Sequence, residues 1–173
     1  PSSLPSVSTA VTSNYLGQDI SCFGVCDAEV TATAIGGTAP YSYNWSMTSQ
    51  TTTTVTGICA GVFSVIITDS LGCTASASVT VTQPTQLTAA VTGTTNALCF
   101  GDSTGSVDLS AGGGTAPYTY DIGINSAITL NPTVTLTGLV AGGYTATITD
   151  GNGCQVLVPF TITSPPLLTN TAS

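Results

Sequence analysis

The sequence predicts an all-β protein made of two tandem β-sandwich domains. Three observations lead to this prediction. Apolar and polar residues alternate over short runs, as they do in strands that bury one face. Turn-forming residues, among them 19 Gly and 9 Pro, return about every ten positions and separate these runs. The same ordered motifs occur twice along the chain.

An internal repeat sets the domain boundaries. The paired segments are residues 22–24 with 99–101, 36–41 with 113–118, and 68–73 with 149–154. The offset is 77 for the first two pairs and 81 for the third, so the second copy contains a four-residue insertion. We therefore predict domains at residues 1–84 and 85–166, with 167–173 as the start of a further repeat or a linker strand.

The strands follow from the alternation within each copy. In the first copy the alternating apolar residues are Val30, Ala32 and Ala34, then Phe63, Val65 and Ile67, then Ala75, Ala77, Val79 and Val81. In the second copy they are Val107, Leu109 and Ala111, then Tyr144, Ala146 and Ile148, then Val156, Val158, Phe160 and Ile162. These runs predict about seven strands in roughly 80 residues, the size of an immunoglobulin-like sandwich, with hardly any helix.

One strand in each copy carries aromatic residues on a single face. They are Tyr41, Tyr43 and Trp45 in the first copy, and Tyr118, Tyr120 and Ile122 in the second. The favoured interpretation is that these side chains fill the core or its edge. The alternative is an exposed aromatic platform that binds sugar.

Six cysteines indicate disulfides and an oxidising compartment. The second copy keeps the positions of Cys22 and Cys73 but has Ser103 and Val140 where the first copy has its other two cysteines. Two cysteines that are missing together are best explained as bonded to each other. The predicted bonds are Cys22–Cys73, Cys26–Cys59 and Cys99–Cys154. A metal–thiolate site is disfavoured because the chain has no paired Cys-x-x-Cys motifs and no His.

The charge composition excludes several classes of function. The chain has no Lys, Arg or His against eight acidic residues, a net charge of −8. Without cations it cannot neutralise nucleic-acid phosphates, anionic membrane surfaces are disfavoured for the same reason, and no apolar run is long enough to cross a bilayer. A Ser nucleophile would lack its usual base, and the acidic residues show no convergence. We therefore predict a protein that is not an enzyme.

Acidic residues at turns raise the question of a metal site. Asp69 and Asp150 each precede a tight turn, where an Asp side chain commonly accepts hydrogen bonds from backbone N–H groups. A calcium site is the second interpretation, since carboxylate and carbonyl oxygens suit that ion. Further candidates for this role are Asp27, Glu29, Asp102 and Asp108. No other cofactor is predicted.

The motifs together resemble a known family. Cys-Phe-Gly, Gly-Gly-Thr-Ala-Pro-Tyr-x-Tyr, Gly-x-x-Ala-Gly-x-(Phe/Tyr) and Thr-Asp-x-x-Gly-Cys, in this order in both copies, closely resemble the SprB repeat of Bacteroidetes surface adhesins. The strand around Tyr41 also looks like the polycystic-kidney-disease type of immunoglobulin-like fold. The resemblance implies a large, repetitive outer-surface protein, exported by type IX secretion and used in adhesion and gliding. Asp-Ser pairs at Ser70 and Ser103 resemble the O-glycosylation sequon of Bacteroidetes.

Three functions are compatible with these features. The leading one is a spacer and adhesive surface in a cell-surface stalk associated with the outer membrane. A second is a subunit of an extracellular filament, in which residues 1–12 or the tail after Pro165 complete a neighbour's sheet. A third is a carbohydrate-binding accessory module. The expected partners are neighbouring repeats, like subunits or a surface polysaccharide.

Overall fold

The computed structural model describes residues 3–46 and 48–169. The chain divides into two compact units, Pro1–Pro84 and Thr85–Ser173, and the division falls where the motifs pass from the first copy to the second. The described residues contain strands and turns but no helix. All strand pairs are antiparallel. The fold is therefore all-β and immunoglobulin-like, as predicted.

The described part of the first unit forms six strands in two sheets. They are β1 (Ser6–Val11), β2 (Ala28–Ile35), β3 (Ser42–Trp45), β4 (Thr54–Ile58), β5 (Gly61–Thr68) and β6 (Thr74–Val81). One sheet has the order β1-β2-β4 and the other β3-β5-β6. The hydroxyl of Thr9 in β1 donates to the carbonyl of Ser78 in β6 at 3.0 Å, so the edges of the two sheets meet along one side of the sandwich.

The second unit forms seven strands. They are β7 (Thr88–Thr95), β8 (Gly105–Gly112), β9 (Tyr118–Asp121), β10 (Ser126–Thr129), β11 (Thr133–Leu139), β12 (Gly142–Thr149) and β13 (Gln155–Ile162). The sheets have the orders β11-β8-β7 and β10-β9-β12-β13. Pro159 lies in β13, an edge strand of its sheet, where a residue without an N–H is tolerated.

The predicted count of about seven strands per copy is therefore met by the second unit, whereas the described part of the first forms six. The difference is β10, which pairs with β9 beyond the inner strands of its sheet. It lies in the stretch between the second and third shared motifs, where the second copy has four extra residues. The insertion thus adds an edge strand and leaves the two-sheet core unchanged.

Each unit has its own core, formed by the alternating residues of facing strands. In β5, Phe63, Val65 and Ile67 are buried while the residues between them are exposed. The first core comprises Ile20, Ala28, Val30, Ala32, Trp45, Val55, Ile58, Phe63, Val65, Ile67 and Val81. The second comprises Leu87, Val107, Leu109, Tyr118, Tyr120, Ile122, Leu136, Leu139, Ala146, Ile148, Phe160 and Ile162. The period-two pattern therefore identified the buried faces correctly.

The segment that follows the second unit forms no strand in the part that is described. Residues 163–169 have no regular secondary structure, and the side chains of Leu167 and Leu168 are exposed. Residues 170–173 of the predicted linker strand lie outside the described residues.

Candidate functional site

Each unit has two ends that differ in structure. We call the end at which the first strand of a unit begins its leading end, and the end at which the last strand finishes its trailing end. In the first unit the N–H of Gly37 donates to the carbonyl of Ser3, just before β1. At the opposite end, the N–H of Thr82, just after β6, donates to the carboxylate of Asp19 at 2.8 Å. The chain therefore passes through the unit from one end to the other.

A buried aspartate organises the leading end of the first unit. Asp69 Oδ1 accepts hydrogen bonds from the N–H groups of Leu71 at 3.0 Å and Cys73 at 2.8 Å. Its Oδ2 accepts one from the N–H of Thr38 at 3.1 Å. The carboxylate thus joins the Thr-Asp-x-x-Gly-Cys turn to the Gly-Gly-Thr segment, so two motifs that are distant in sequence form one structure.

The second unit repeats this arrangement. Asp150 Oδ1 accepts from the N–H groups of Asn152 at 3.0 Å and Cys154 at 2.9 Å, and Oδ2 accepts from that of Thr115 at 2.9 Å. A Cβ added at Gly114 would lie 2.6 Å from Asp150 Oδ2. The Gly-Gly pair is therefore needed because the carboxylate passes directly over the backbone of its second glycine.

These contacts explain the role of the two turn aspartates. Hydrogen bonds from backbone N–H groups, that of Cys73 first, lower the pKa of Asp69, although partial desolvation opposes them. Both carboxylate oxygens of Asp69 and of Asp150 accept backbone N–H groups. The interpretation that both aspartates bond backbone N–H groups is confirmed.

The other acidic candidates do not form a single cluster: Asp27 and Glu29 line one cavity beside Tyr15 in the first unit, whereas Asp102 and Asp108 lie in the second unit. Asp27 accepts from the N–H of Ser21 at 3.1 Å, and Glu29 accepts from the hydroxyl of Thr12 at 2.7 Å. In the second unit Asp108 accepts from the hydroxyl of Thr135, and the N–H of Asp102 donates to the carbonyl of Cys99. Within residues 3–46 and 48–169, no group of three or more His, Cys, Asp or Glu side chains is arranged to hold a metal ion.

The Cys-Phe-Gly motif forms a turn at the trailing end of each unit. The N–H of Val25 donates to the carbonyl of Cys22 at 3.1 Å, and Gly24 has φ of 78°. A positive φ at the third residue is typical of a type II turn and favours Gly. The second residue then lies at the corner of the turn, where Phe23 is 51 % exposed and Phe100, in the second unit, 60 % exposed.

These two phenylalanines are surface residues that the sequence analysis did not single out. An aromatic residue of this size is usually buried, whereas the matching Phe is exposed at the trailing end of both units. The signal present in the sequence was a large apolar residue immediately before a turn glycine, repeated in both copies.

One of the three predicted disulfides is present as predicted. Cys26 and Cys59 are bonded across 33 positions of sequence. The bond joins the loop before β2 to the turn between β4 and β5, and a disulfide of this span typically stabilises a fold by about 2–4 kcal/mol.

The other two predicted bonds, Cys22–Cys73 and Cys99–Cys154, are wrong. Cys73 and Cys99 are free thiols, whereas Cys22 and Cys154 are both disulfide-bonded. Neither Cys22 nor Cys154 is therefore bonded to the other shared cysteine of its own repeat.

The physical reason is the length of the last strand of each unit. Cys73 immediately precedes β6 at the leading end, whereas Cys22 lies at the trailing end, where the N–H of Gly24 donates to the side chain of Gln83 just after β6. Eight residues of strand span about 26 Å, far more than the roughly 7 Å between Cα atoms that a disulfide tolerates.

The second unit is built in the same way. Cys154 immediately precedes β13. Cys99 lies beyond the far end of that strand, two residues after Ala97, whose N–H donates to the carbonyl of Thr163 at 2.9 Å. Each repeat therefore carries one shared cysteine at its leading end and one at its trailing end.

The aromatic strand residues are mainly core residues. Trp45, Tyr118, Tyr120 and Ile122 are buried, and Tyr41 and Tyr43 are half-buried. The hydroxyl of Tyr120 donates to the carbonyl of Pro132 at 2.8 Å, and the indole N–H of Trp45 donates to the carbonyl of Thr52 at 3.0 Å. The interpretation that these side chains fill the core or its edge is confirmed for Trp45, Tyr118, Tyr120 and Ile122.

The two predicted glycosylation residues are accessible. Ser70 lies in the turn between β5 and β6, and Ser103 lies in the loop before β8. Both side chains are exposed, which is the condition that attachment of a glycan requires.

Comparisons with known proteins agree with the family resemblance. The family model described as the SprB repeat matches residues 18–49 and 91–123, once in each unit. The matched segments contain the Cys-Phe-Gly turn and the Gly-Gly segment of each copy. The resemblance inferred from the sequence motifs is therefore confirmed. A search of curated proteins found no match.

Two solved structures are similar to the chain at low identity. One holds the N-terminal eight immunoglobulin domains of Down Syndrome Cell Adhesion Molecule isoform 1.30.30, with 14 % identity, a TM-score of 0.40 and coverage of 94 % of this chain and 25 % of that one. The chain thus spans a quarter of the length of this structure. The other holds fibronectin(III)-like modules of CbhA from Clostridium thermocellum, with 14 % identity, a TM-score of 0.40 and coverage of 96 % and 100 %.

Proposed function

We propose that this chain, which carries two SprB repeats, is a non-catalytic module of a bacterial extracellular surface protein, in which the repeats act as spacer and adhesive surface. The observation that carries this proposal is the path of the chain through each unit. Strands β1 and β7 begin at the leading ends, and β6 and β13 finish at the trailing ends. A domain that is entered at one end and left at the other adds length whenever another copy follows it.

The surface location is supported by two features. The Cys26–Cys59 disulfide is of the kind that forms in oxidising compartments. The exposed Phe23 and Phe100 give the repeats apolar contact points outside their cores. None of the described segments is a helix that is long and apolar enough to span a membrane.

The non-catalytic role is supported by the uses of the acidic side chains. Asp69 and Asp150 hold turns through backbone N–H groups, and Asp108 bonds the hydroxyl of Thr135. The chain has no His or Lys to act as a base. These groups serve the fold rather than a reacting centre.

The experiment locates the protein by immunogold labelling and measures the length of the labelled material. Antibodies raised against the chain, used for immunogold electron microscopy of intact cells that produce the protein, are expected to label extended material outside the cell. Inserting one more copy of residues 5–84 should lengthen that material by a constant step of about 26 Å or more, the length of one eight-residue strand. Label confined to the cytoplasm, or a length that does not respond to the insertion, would refute the proposal.

Filament assembly by strand exchange is a second candidate, and one observation favours it. Leu167 and Leu168 are exposed, and residues 163–169 form no strand, so this segment is available to pair with a neighbour's sheet. The N-terminal segment is a poor donor because β1 pairs with β2 of its own unit along its whole length. Deleting residues 167–173 and measuring the mass and length of the native particles separates the two candidates. If the protein forms filaments, the deletion should reduce the particles to single folded subunits. If it forms a stalk, the mass and length of the particles should not change.

A further inference from the structure

The two shared cysteine positions of the repeat occur in two chemical states. At the leading ends, Cys73 is a free thiol and Cys154 is bonded. At the trailing ends, Cys99 is a free thiol and Cys22 is bonded. Equivalent positions therefore form disulfides in one repeat and carry thiols in the other, although the surrounding turns are built alike. One thiol of each kind, leading and trailing, is left over.

The bonded cysteines indicate the kind of partner that these positions take. Strand β6 separates the two shared positions of the first repeat, and β13 those of the second, so a bond within one repeat is sterically excluded. A bond at either position must reach a cysteine outside that repeat's own shared pair. The partner that carries such a cysteine in a matching turn is another copy of the repeat.

The trailing end of the second unit offers an apolar surface around its thiol. Cys99 is exposed and lines a groove of about 390 Å³. The other residues that line this groove are Leu98, Phe100, Pro165, Pro166, Leu167 and Leu168. Leu98 is 72 % exposed. Large apolar side chains gathered around an exposed thiol indicate a contact surface rather than a solvated loop.

The leading end of the first unit offers a smaller apolar surface around the other thiol. Leu71 lies two residues before Cys73 in the same Asp69-centred turn, and its side chain is exposed. Leu4 is also exposed. It follows Ser3, whose carbonyl accepts a hydrogen bond from the N–H of Gly37 at this end. In the second unit the position of Leu71 is taken by Asn152.

Charge leaves few other ways to hold two copies together. The chain has a net charge of −8 and no Lys, Arg or His, so copies repel one another and cannot form salt bridges through side chains. Association has to come from apolar contact, hydrogen bonds or a covalent bond.

We propose that Cys99 and Cys73 are linkage residues that join copies of this repeat pair by disulfides, the trailing end of one copy to the leading end of the next. The proposal goes beyond the spacer role, because it makes an array of repeats a covalently cross-linked cable rather than domains joined by the main chain alone. The bond is directional, because it uses one cysteine of each kind.

The chemistry requires an oxidant, which a small-molecule disulfide supplies. The thiolate of Cys99 attacks a glutathione disulfide, forms a mixed disulfide and releases one glutathione thiolate. The thiolate of Cys73 from another copy then attacks the Cys99 sulfur and releases the second glutathione thiolate. Two protein thiols lose two protons and two electrons, and one glutathione disulfide is reduced to two thiols.

The experiment uses the full chain with Cys73→Ser and Cys99→Ser variants. Each protein is incubated with a glutathione redox couple, quenched with an alkylating agent and examined by non-reducing electrophoresis and intact mass. The unaltered chain is expected to form a ladder of dimers, trimers and longer species that dithiothreitol collapses. Each variant alone should remain monomeric, and an equal mixture of the two should give one heterodimer.

Peptide mapping identifies the bond. The heterodimer should yield a Cys73–Cys99 peptide after digestion with thermolysin, since trypsin has no Lys or Arg to cleave. Homodimers of either variant at a level comparable with the heterodimer would overturn the proposal, because they would indicate unspecific thiol oxidation. Absence of any coupling, or an intramolecular Cys73–Cys99 bond, would overturn it as well.

A matched pair of variants tests the apolar contact separately. Phe100→Ser is expected to slow coupling at Cys99 by about tenfold, because burial of the Phe100 side chain between the two copies is expected to stabilise their encounter complex by about that factor. Ile128→Ser removes a similarly exposed apolar side chain from β10 and should leave the coupling rate unchanged. If both variants change the coupling rate equally, the apolar surface around Cys99 does not contribute to docking. If coupling fails while immunogold images still show the protein outside the cell, the disulfide linkage is refuted and the proposed function stands.

Discussion

Oδ1 of Asp69 accepts a hydrogen bond from the backbone N–H of Cys73 at 2.8 Å. The same bond joins Asp150 to Cys154 at 2.9 Å in the second unit. The contact places each leading-end cysteine at the start of the last strand and holds its turn in one conformation. The aspartate of the Thr-Asp-x-x-Gly-Cys motif is therefore a structural residue whose effect is to position a cysteine.

Removing this carboxylate should destabilise the first unit. Asp69→Ala leaves the N–H groups of Thr38, Leu71 and Cys73 without their acceptor, and we expect the Tm of the first unit to fall by about 5–10 °C. Trp45 is the only Trp of the chain and is buried in this unit, so its fluorescence reports the transition. Asp150→Ala is the control and should leave the Trp45 transition where it is.

The same residue makes the first unit sensitive to acid. Backbone hydrogen bonds hold the pKa of Asp69 below its ordinary value. The stability that this group contributes is therefore present above its unfolded pKa of about 3.9 and is lost as the pH falls through the folded pKa. Asp69→Asn should remove this part of the pH dependence below about pH 4. An unaltered Trp45 unfolding profile over this range would contradict the assignment.

The Cys26–Cys59 bond should account for part of the stability of the first unit. Cys26→Ser with Cys59→Val places there the residues that the second repeat has at these positions, Ser103 and Val140. We expect the free energy of unfolding to fall by about 2–4 kcal/mol in urea titrations followed by Trp45 fluorescence. A change below about 0.5 kcal/mol would indicate that the bond does not constrain the unfolded chain.

The second glycine of the Gly-Gly segment should tolerate no side chain. At Gly114, where φ is 61°, a Cβ would lie 2.6 Å from Asp150 Oδ2, so Gly114→Ala is expected to cost about 1–3 kcal/mol. Gly143 has no atom within 4 Å of a built Cβ, and Gly143→Ala should be close to neutral. Hydrogen exchange of peptides from β12, measured by mass spectrometry, compares the two.

Glycosylation is expected at the two accessible serines. Ser70 and Ser103 are exposed in loops and follow Asp69 and Asp102. Mass spectrometry of the protein from its native source should find a glycan on Ser70 or Ser103, and the corresponding Ser→Ala variant should lose that mass. Glycan on neither residue would show that these sequence matches are accidental.

Much of this structure could be predicted from local sequence. The repeated motifs indicated two equivalent units, and period-two alternation identified Phe63, Val65 and Ile67 as one buried face because a strand directs successive side chains to opposite sides. The Cys26–Cys59 bond followed from the replacement of both cysteines in the other copy. The aspartate of the turn could be interpreted correctly because an Asp side chain bonds its own local backbone.

The shared cysteines required the tertiary structure. Alternation indicates which face of a sheet a residue occupies, but not whether a loop lies at the leading or the trailing end of the sandwich. The comparison of the two copies left Cys22 and Cys73 as a pair, yet β6 separates them by about 26 Å. Exposure of Phe23 and Phe100 was decided in the same way, since an aromatic residue before a turn glycine is buried or exposed according to which end of the sandwich its turn occupies. Sequence by itself determined the repeats, the strands and their buried faces, because these depend on neighbours along the chain. Only the packed sandwich decided which ends the cysteines occupy, because that depends on the length and direction of strands that lie between them.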